Sequence, residues 1–333
     1  MKERSSGTRH EVRQLFSRVA SAREAVIFGI AIGLFVLFNV LSGGVFASSD
    51  AIGIMAISAS ELGIVVLGVA LLMICGEFDL SVGSVSAVGA LIVATLYQLG
   101  LNPFLATAIA VGGGMGAAAV NGLVTVKFGI PSFIVTLGAL MAWRGFVTLV
   151  TGGQVVIFRV REAYPAFFSI FQGNVGGVSA PLIWFVVTAI ILGLFLHFHR
   201  FGNHVFATGG NKEAARAMGI NTNKTKVISY MIVGGLAAFS GILQSIRSKG
   251  FYAAQGTGME LIAIAASVVG GTSLFGGVGS IVGAALGVLI IIFLEFGLIM
   301  ARVPGFWYKL ILGVIIVAVV IMNKALEQRR RAA

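Results

Sequence analysis

Two acids and two hydroxyls interrupt an apolar stretch of the sequence at residues 76–84. Glu77, Asp79, Ser81 and Ser84 stand there among glycines and apolar residues. Charges in such surroundings are costly and persist when they face a cavity, pair with another charge or a cation, or cap a helix. The pattern therefore predicts either polar groups along the path of a small solute or a helix cap supplied by Asp79.

A second polar interruption lies in the other half of the chain, at residues 270–280. Thr272 and Ser273 occur there among five glycines. Interruptions at corresponding places in two halves are typical of transporter sites. We predict a weakly polar path for a solute, with the alternative that each hydroxyl bonds its own helix backbone. The path residues are Glu77, Asp79, Ser81, Ser84, Asn121, Thr136, Thr272 and Ser273.

The sequence carries no catalytic or metal-binding motif. A Gly-x4-Gly-Lys-Ser/Thr phosphate loop, a His-Glu-x-x-His helix, a Cys-x-x-Cys pair and a Gly-x-Ser-x-Gly elbow are all absent. Cys75 is the only cysteine. We expect a chain that is not an enzyme, binds no metal or cofactor, and does not hydrolyse ATP itself.

Composition indicates that lipid surrounds the chain. Apolar residues make up 58% of the 333 residues, charged residues make up 11%, and the mean hydropathy is +1.01. Ordinary soluble domains lie far from these values, and 23 basic plus 12 acidic residues are too few to cover a soluble surface. We therefore predict an all-α, polytopic membrane protein.

Apolar runs of about 17–25 residues predict about ten transmembrane helices. The runs are 25–42, 54–75, 81–98, 103–126, 133–151, 181–198, 227–246, 260–271, 279–299 and 307–323. The run 260–271 is too short to cross a bilayer at roughly 1.5 Å per residue, which predicts a broken or re-entrant helix. Glycines spaced four apart predict close helix packing at Gly29/Gly33, Gly112/Gly116 and Gly279/Gly283.

Basic residues cluster at both termini and between the sixth and seventh runs. The positive-inside rule places such clusters in the cytoplasm, so the net charge of +11 indicates topology rather than nucleic-acid binding. The prediction is a cytoplasmic segment 1–24, a single transmembrane domain 25–323 and a basic cytoplasmic tail 324–333. The loop 199–226 of that domain is also cytoplasmic.

A short helix is predicted within the loop, at residues 211–220. Asn211 can accept a bond from a free amide at the helix start, and Glu213 lies near that positive end. Arg216 follows later, and Gly219 supplies a left-handed stop. Two helical turns are marginal in isolation, so the segment either docks on a partner or is a solvated connection.

The interruptions and the loop together resemble the ribose/xylose/galactose-type permease family of ATP-binding-cassette (ABC) importers. The motifs are GEFDLSVG at 76–83, GGNKEAA at 209–215 with GIN at 219–221, and GGTSL at 270–274 with GGVG at 276–279. GIPSFIVTLGAL at 129–140, RG at 144–145 and GTGME at 256–260 follow the same order and spacing. The resemblance covers nearly the whole chain.

This resemblance implies a permease subunit in the bacterial inner membrane that imports a monosaccharide or similar small polar solute by alternating access. The implied partners are a second permease chain, identical or related, two cytoplasmic ATPase subunits that bind ATP and magnesium, and a periplasmic solute-binding protein. Membrane lipid surrounds the assembly. The departure is Glu77, because many relatives have Gly-Ile-Asp here; the extra acid either shifts solute preference or lies at an interface.

The resemblance also assigns a coupling role to the loop. The residues that would contact the ATPase and transmit its closure are Gly209, Gly210, Asn211, Lys212, Glu213, Ala214, Ala215, Arg216, Gly219 and Ile220.

An ion-coupled secondary transporter that acts without an ATPase is the alternative. It would use intramembrane or boundary acids such as Glu61, Glu77, Asp79, Glu260 and Glu295. Structural pairing explains Glu61, Glu260, Glu295 and Arg144 at least as well.

Overall fold

The computed structural model describes residues 22–304 and, beyond them, 306–308, 310–311, 313–315, 317–318 and 321. The segment 1–21 and the tail 324–333 lie outside the described residues, and the predicted run 307–323 lies only partly within them. The described chain is mostly α-helical.

Nine helices correspond to the first nine predicted runs. They are α1 Ala22–Leu41, α2 Ser49–Ile74, α3 Val82–Gln98, α4 Pro103–Phe128, α5 Ser132–Thr151, α7 Ala180–Phe198, α10 Thr222–Ser248, α11 Met259–Val269 and α12 Ile281–Met300. Seven helices in the described residues are long and apolar enough to cross a membrane, and α3 and α11 are shorter. Described residues from Phe306 to Ile321 are helical as well.

The connections contain three further α-helices, a short 3₁₀ helix at Val45–Ala47 and two small antiparallel sheets. The helices are α6 Pro165–Gln172, α8 Arg200–Gly210 and α9 Lys212–Ala217. Strand β1 (Val156–Ile157) pairs with β4 (Gly250–Phe251), so that Val156 lies opposite Phe251. Strands β2 (Asn174–Val175) and β3 (Val178–Ser179) form the second sheet.

The helix bundle has two distinct ends, here called the α9 end and the strand end. At the α9 end, the Gly277 amide donates to the Ile74 carbonyl at 2.8 Å, and the Ser280 hydroxyl donates to Glu24 at 2.6 Å. At the strand end, the Tyr97 hydroxyl donates to the Arg159 carbonyl at 2.9 Å. The start of α1, the end of α2 and the start of α12 therefore share one end, in agreement with the predicted alternation of helix directions.

Helix α10 lies at the centre and packs closely on α3 and α4. A Cβ on Gly114 would lie 2.5 Å from the Gly234 carbonyl oxygen and 2.5 Å from the Ala238 Cβ. A Cβ on Gly89 would lie 2.6 Å from the Ala238 Cα. Because lipid is as apolar as a helix surface, helices in a membrane gain association energy mainly from close packing of this kind.

Within the described chain, two of the three predicted glycine pairs lack the predicted contact. A Cβ on Gly29, Gly33, Gly112 or Gly116 would meet no described atom within 4 Å, so these glycines make no close helix contact within the described chain. The third pair is confirmed, because a Cβ on Gly279 would lie 2.7 Å from Ile74 and one on Gly283 would clash with the Gly270 carbonyl. On α4, Gly114 makes the close contact and Gly112 and Gly116 do not.

Gly114→Val should destabilise the folded chain, because its side chain would occupy space taken by the α10 backbone. Overpacking of this kind costs about 1–3 kcal/mol. The melting temperature of the purified protein in detergent measures the loss. Gly116→Val on the same helix is the matched control and should leave the melting temperature unchanged; equal effects of the two substitutions would contradict the packing.

Candidate functional site

The turn formed by residues 75–81, between α2 and α3, carries the first polar interruption. Its Glu77 carboxylate pairs with the ammonium group of Lys226 at the start of α10. Both side chains are about nine-tenths buried, 9% and 10% exposed. Burying two charges costs several kcal/mol per ion unless each neutralises the other. The pair therefore fixes the turn to α10.

Phe78 links the same turn to two further helices through its backbone. Its amide donates to the Ser132 hydroxyl at the start of α5, at 3.2 Å. Its carbonyl accepts a bond from the Tyr230 hydroxyl of α10, at 2.9 Å. One residue thus bonds both α5 and α10.

Asp79 forms the centre of a buried polar cluster. Its Oδ1 accepts from the Ser81 amide at 2.7 Å and from the Ser81 hydroxyl at 2.6 Å. Asn121 of α4 donates to that hydroxyl at 2.8 Å. Asp79 thus bonds Ser81, the N-cap residue of α3, and the predicted Asp79 cap of a helix beginning at Leu80 is not found, because the helix begins at Val82 and has no side-chain cap bond.

The second carboxylate oxygen of Asp79, Oδ2, is buried without a hydrogen-bond partner among the described residues. Burial raises the pKa of the Asp79 carboxyl to about 6, while the bonds from Ser81 act in the opposite direction. Only one of the two Asp79 carboxylate oxygens is thus bonded among the described residues.

The other predicted path residues fall into two groups. Ser84 donates to the Leu140 carbonyl of α5 at 2.8 Å, and Thr136 donates to the Ser132 carbonyl of its own helix at 2.8 Å. Thr136 thus makes the backbone bond that was its alternative use. Thr272 and Ser273 belong to the 270–280 loop and make no hydrogen bond to this cluster among the described residues; the Ser273 hydroxyl accepts from the Phe275 amide at 3.1 Å.

The glycine motifs meet at the α9 end. A Cβ on Gly276 would lie 2.7 Å from the Gly209 carbonyl oxygen and 2.9 Å from the Gly76 Cα. A Cβ on Gly209 would clash with the Ile74 carbonyl and lie 2.7 Å from the Gly277 amide nitrogen. The end of α2, the end of α8 and the 270–280 loop are therefore in main-chain contact, directly before α9.

Helix α9 has the predicted capped geometry. The Asn211 side chain accepts from the Ala214 amide at 3.0 Å, and Gly219 has φ +82°. Arg216 donates to Thr222 at 3.0 Å, which fastens α9 to the start of α10. Met218, directly after α9, is 83% exposed and the Glu213 side chain is 79% exposed, so this segment presents both an apolar and a charged side chain to solvent.

Sequence reasoning missed the partners of several charges. Lys226 was interpreted only as part of a basic cluster, and it is 149 residues from Glu77. The structure also pairs Glu61 with Arg247, at 2.8 Å, and Arg144 donates to the Ala253 and Gln255 carbonyls at 2.7 Å each. Structural pairing, the alternative use of these charges, is thus observed for Glu61, Glu77 and Arg144.

One protein-family model matches the chain. Residues 51–320 match the family model "Branched-chain amino acid transport system / permease component". No solved structure shows a significant match.

Three curated relatives illustrate what the chain is similar to. Ribose import permease protein RbsC of Escherichia coli (strain K12) is 34% identical over 292 residues, covering 87% of this chain and 91% of RbsC. Inner membrane ABC transporter permease protein YjfF of the same strain is 34% identical over 307 residues, covering 89% and 91%. Autoinducer 2 import system permease protein LsrC of Yersinia enterocolitica is 31% identical over 316 residues, covering 94% and 86%.

Breaking the Glu77–Lys226 pair from one side should destabilise the fold. Glu77→Gln or Lys226→Met alone leaves one buried charge unpaired, at a cost of about 3–5 kcal/mol. The double variant should recover most of this loss, which a double-mutant cycle of thermal unfolding in detergent measures.

The exposed pair Glu213–Arg216 gives the control for this cycle. Glu213→Gln should cost at most about 1 kcal/mol because solvent screens the pair. If the loss of stability in the double variant equals the sum of the losses in Glu77→Gln and Lys226→Met, the two charges are not coupled and the buried pair is contradicted.

Proposed function

The chain belongs to the family of branched-chain amino acid transport system permease components, and on that premise we propose that it carries a monosaccharide or a similarly small polar solute. It is a permease subunit of an ABC importer in the inner membrane, and neither an enzyme nor an ion-coupled carrier. The proposed solute class rests on one observation, which is that the chain is similar along nearly its whole length to a ribose import permease. A relative named for autoinducer 2 is nearly as similar, so the proposal extends to a class of small polar solutes.

The proposed topology has about ten membrane spans, with the α9 end and both termini in the cytoplasm. It divides the chain into the segment 1–24, one transmembrane domain 25–323 and the tail 324–333. Support comes from the basic residues of the loop 199–226, of which Lys212, Arg216, Lys224 and Lys226 are at the α9 end. The helices that run between the two ends supply the alternation that this topology needs.

An ABC importer needs partners that this chain does not contain. We assign ATP and magnesium to a separate cytoplasmic ATPase, and solute delivery to a periplasmic binding protein. A second permease chain, identical or related, completes the proposed membrane unit. Support comes from α5, in which only Ser132, Thr136 and Val147 are buried within this chain, leaving a long helix face for another chain or for the solute path.

Helix α9 is the proposed coupling helix. A six-residue helix is marginal in isolation, and this one is held by Asn211 at its start and by Arg216 bonded to Thr222 at its end. Its exposed Glu213 and the exposed Met218 directly after it suit a groove on the ATPase. Closure of two ATPase subunits would then shift the permease between outward-facing and inward-facing forms, each favoured by different partner contacts.

The proposed solute path runs along α5, beside Ser84, Ser81 and Asn121. Ser84 bonds the α5 backbone, and the Asp79 cluster lies at the same end as the start of α5. Buried hydroxyls and amides offer a solute bonds of moderate strength, which permits release as well as entry. Thr136 belongs to the α5 side of this path, whereas Thr272 and Ser273 belong to the 270–280 loop.

Met218→Asp should reduce binding of the ATPase. The change removes an exposed apolar side chain directly after α9 and adds a charge that a closed groove would have to desolvate. We expect about tenfold less ATPase to co-purify, which corresponds to about 1.4 kcal/mol. Gln154→Asp, at an exposed position of the strand end, is the matched control and should not alter the yield; an unchanged yield for Met218→Asp would contradict the coupling assignment.

Uptake of labelled ribose into proteoliposomes tests the energy source and the solute. Uptake should require ATP, the ATPase and the binding protein, and it should be absent for the permease alone under an imposed proton or sodium gradient. Gradient-driven uptake by the chain alone would overturn the proposal. Competition by unlabelled monosaccharides ranks the solutes, and failure of every monosaccharide to compete or to be taken up would overturn the proposed solute class.

A further inference from the structure

The 75–81 turn lies between the proposed coupling helix and the helix of the proposed path. On one side it touches the end of α8, and on the other it bonds the start of α5. We propose that this turn relays the movement of α8 and α9 to α5, with Gly209 and Ser132 as positioning residues of the transport cycle. The inference rests on the coupling role proposed for α9.

The first step of the relay is a rigid main-chain contact. Gly209 packs against the Ile74 carbonyl with no room for a Cβ, and Gly277 donates to that same carbonyl at 2.8 Å. Main-chain atoms cannot change rotamer to absorb a displacement, as long side chains do. A movement of α8 toward the membrane domain must therefore move the end of α2.

The second step keeps the turn in register with α10. Glu77 is paired with Lys226, and the Phe78 carbonyl is bonded to Tyr230. Separation of these groups would leave buried polar atoms without partners, which is unfavourable for a neutral group and more so for a charge. The turn and the start of α10 therefore move together.

The third step transfers the movement to α5. The Phe78 amide donates to Ser132, the first residue of α5, and Ser132 is one of three buried residues in that helix. The residues 129–131 before it are exposed, and Gly129 has φ +66°. Farther along, α5 is attached by the Ser84 bond to Leu140 and by the Arg144 bonds to Ala253 and Gln255. A displacement of the start of α5 would therefore tilt the helix about these attachments.

Glycines with and without space for a side chain give a matched pair for the test. A Cβ on Gly209 would clash with Ile74, whereas a Cβ on Gly116 of α4 would meet no described atom within 4 Å. Gly209→Ala should therefore disturb the relay, and Gly116→Ala should not. Both changes replace a helical glycine by alanine, which favours the helix in each case, so the contact with Ile74 is what distinguishes them.

The readout is the environment of α5 in the assembled transporter. Met141 of α5 is 67% exposed, so a cysteine introduced there as Met141→Cys can be labelled with a bimane fluorophore that reports on α5. The native Cys75 is buried, so the label should attach to the introduced cysteine. In complexes of the permease with its co-purified ATPase, ATP with magnesium should change the bimane fluorescence. In the Gly209→Ala complex, the bimane fluorescence with ATP divided by that without ATP should be about one, because the nucleotide no longer shifts the population of α5 states. The ATPase content of each complex is measured alongside, and Gly116→Ala should keep the full response.

Ser132→Ala provides the second variant, because it removes the hydroxyl that accepts from the Phe78 amide and that also interacts with Tyr230. Its response should also fall, whereas Thr148→Ala should keep it, since Thr148 bonds only its own helix, at Arg144. A full response in Gly209→Ala or in Ser132→Ala overturns the relay, and if Gly209→Ala does not assemble, Ser132→Ala alone decides. Absence of an ATPase from the reference complex, or of any nucleotide response in it, overturns the proposed function instead.

Discussion

Main-chain contact at the α9 end is the constraint on which the other features of the site depend. The end of α2, the end of α8 and the 270–280 loop approach so closely that Gly209 and Gly276 have no space for a Cβ. Gly276 and Gly277 also have φ of +82° and +71°, which glycine adopts without strain. Side chains at these positions would separate α8 from the membrane-spanning helices. The glycines thus set the distance between the proposed coupling helix and the core.

The polar groups around the 75–81 turn follow from the same close packing. Because water has little access to the turn, the Glu77 carboxylate requires the Lys226 ammonium group as its partner, and the Phe78 amide and carbonyl require the Ser132 and Tyr230 hydroxyls. The ion pair between Glu61 and Arg247 differs from these bonds, because its Arg247 side chain is 51% exposed. Solvent weakens the attraction between Glu61 and Arg247, whereas the buried pair of Glu77 and Lys226 holds α10 against the turn.

Local sequence signals predicted local structure well, and long-range contacts were beyond them. Asn211 and Gly219 indicated both ends of α9, because a cap and a left-handed stop act within a few residues. Apolar runs gave the helices to within a few residues, except that α2 and α10 extend about one turn further at their starts. The contact between Glu77 and Lys226 was missed, since it depends on how α2 and α10 pack. For the same reason the spacing of Gly112 and Gly116 favoured a contact that Gly114 makes instead.

Structures of the complete transporter in the nucleotide-free and ATP-bound states would show directly whether the 75–81 turn links α8 and α9 to α5. We expect the bond from Gly277 to Ile74 and the contact of Gly209 with Ile74 to persist in both states, while α5 changes its tilt relative to α12. We also expect residues 211–220 to contact the ATPase. Separation of Gly209 from Ile74 between the two states, with α5 moving independently of the turn, would contradict this link.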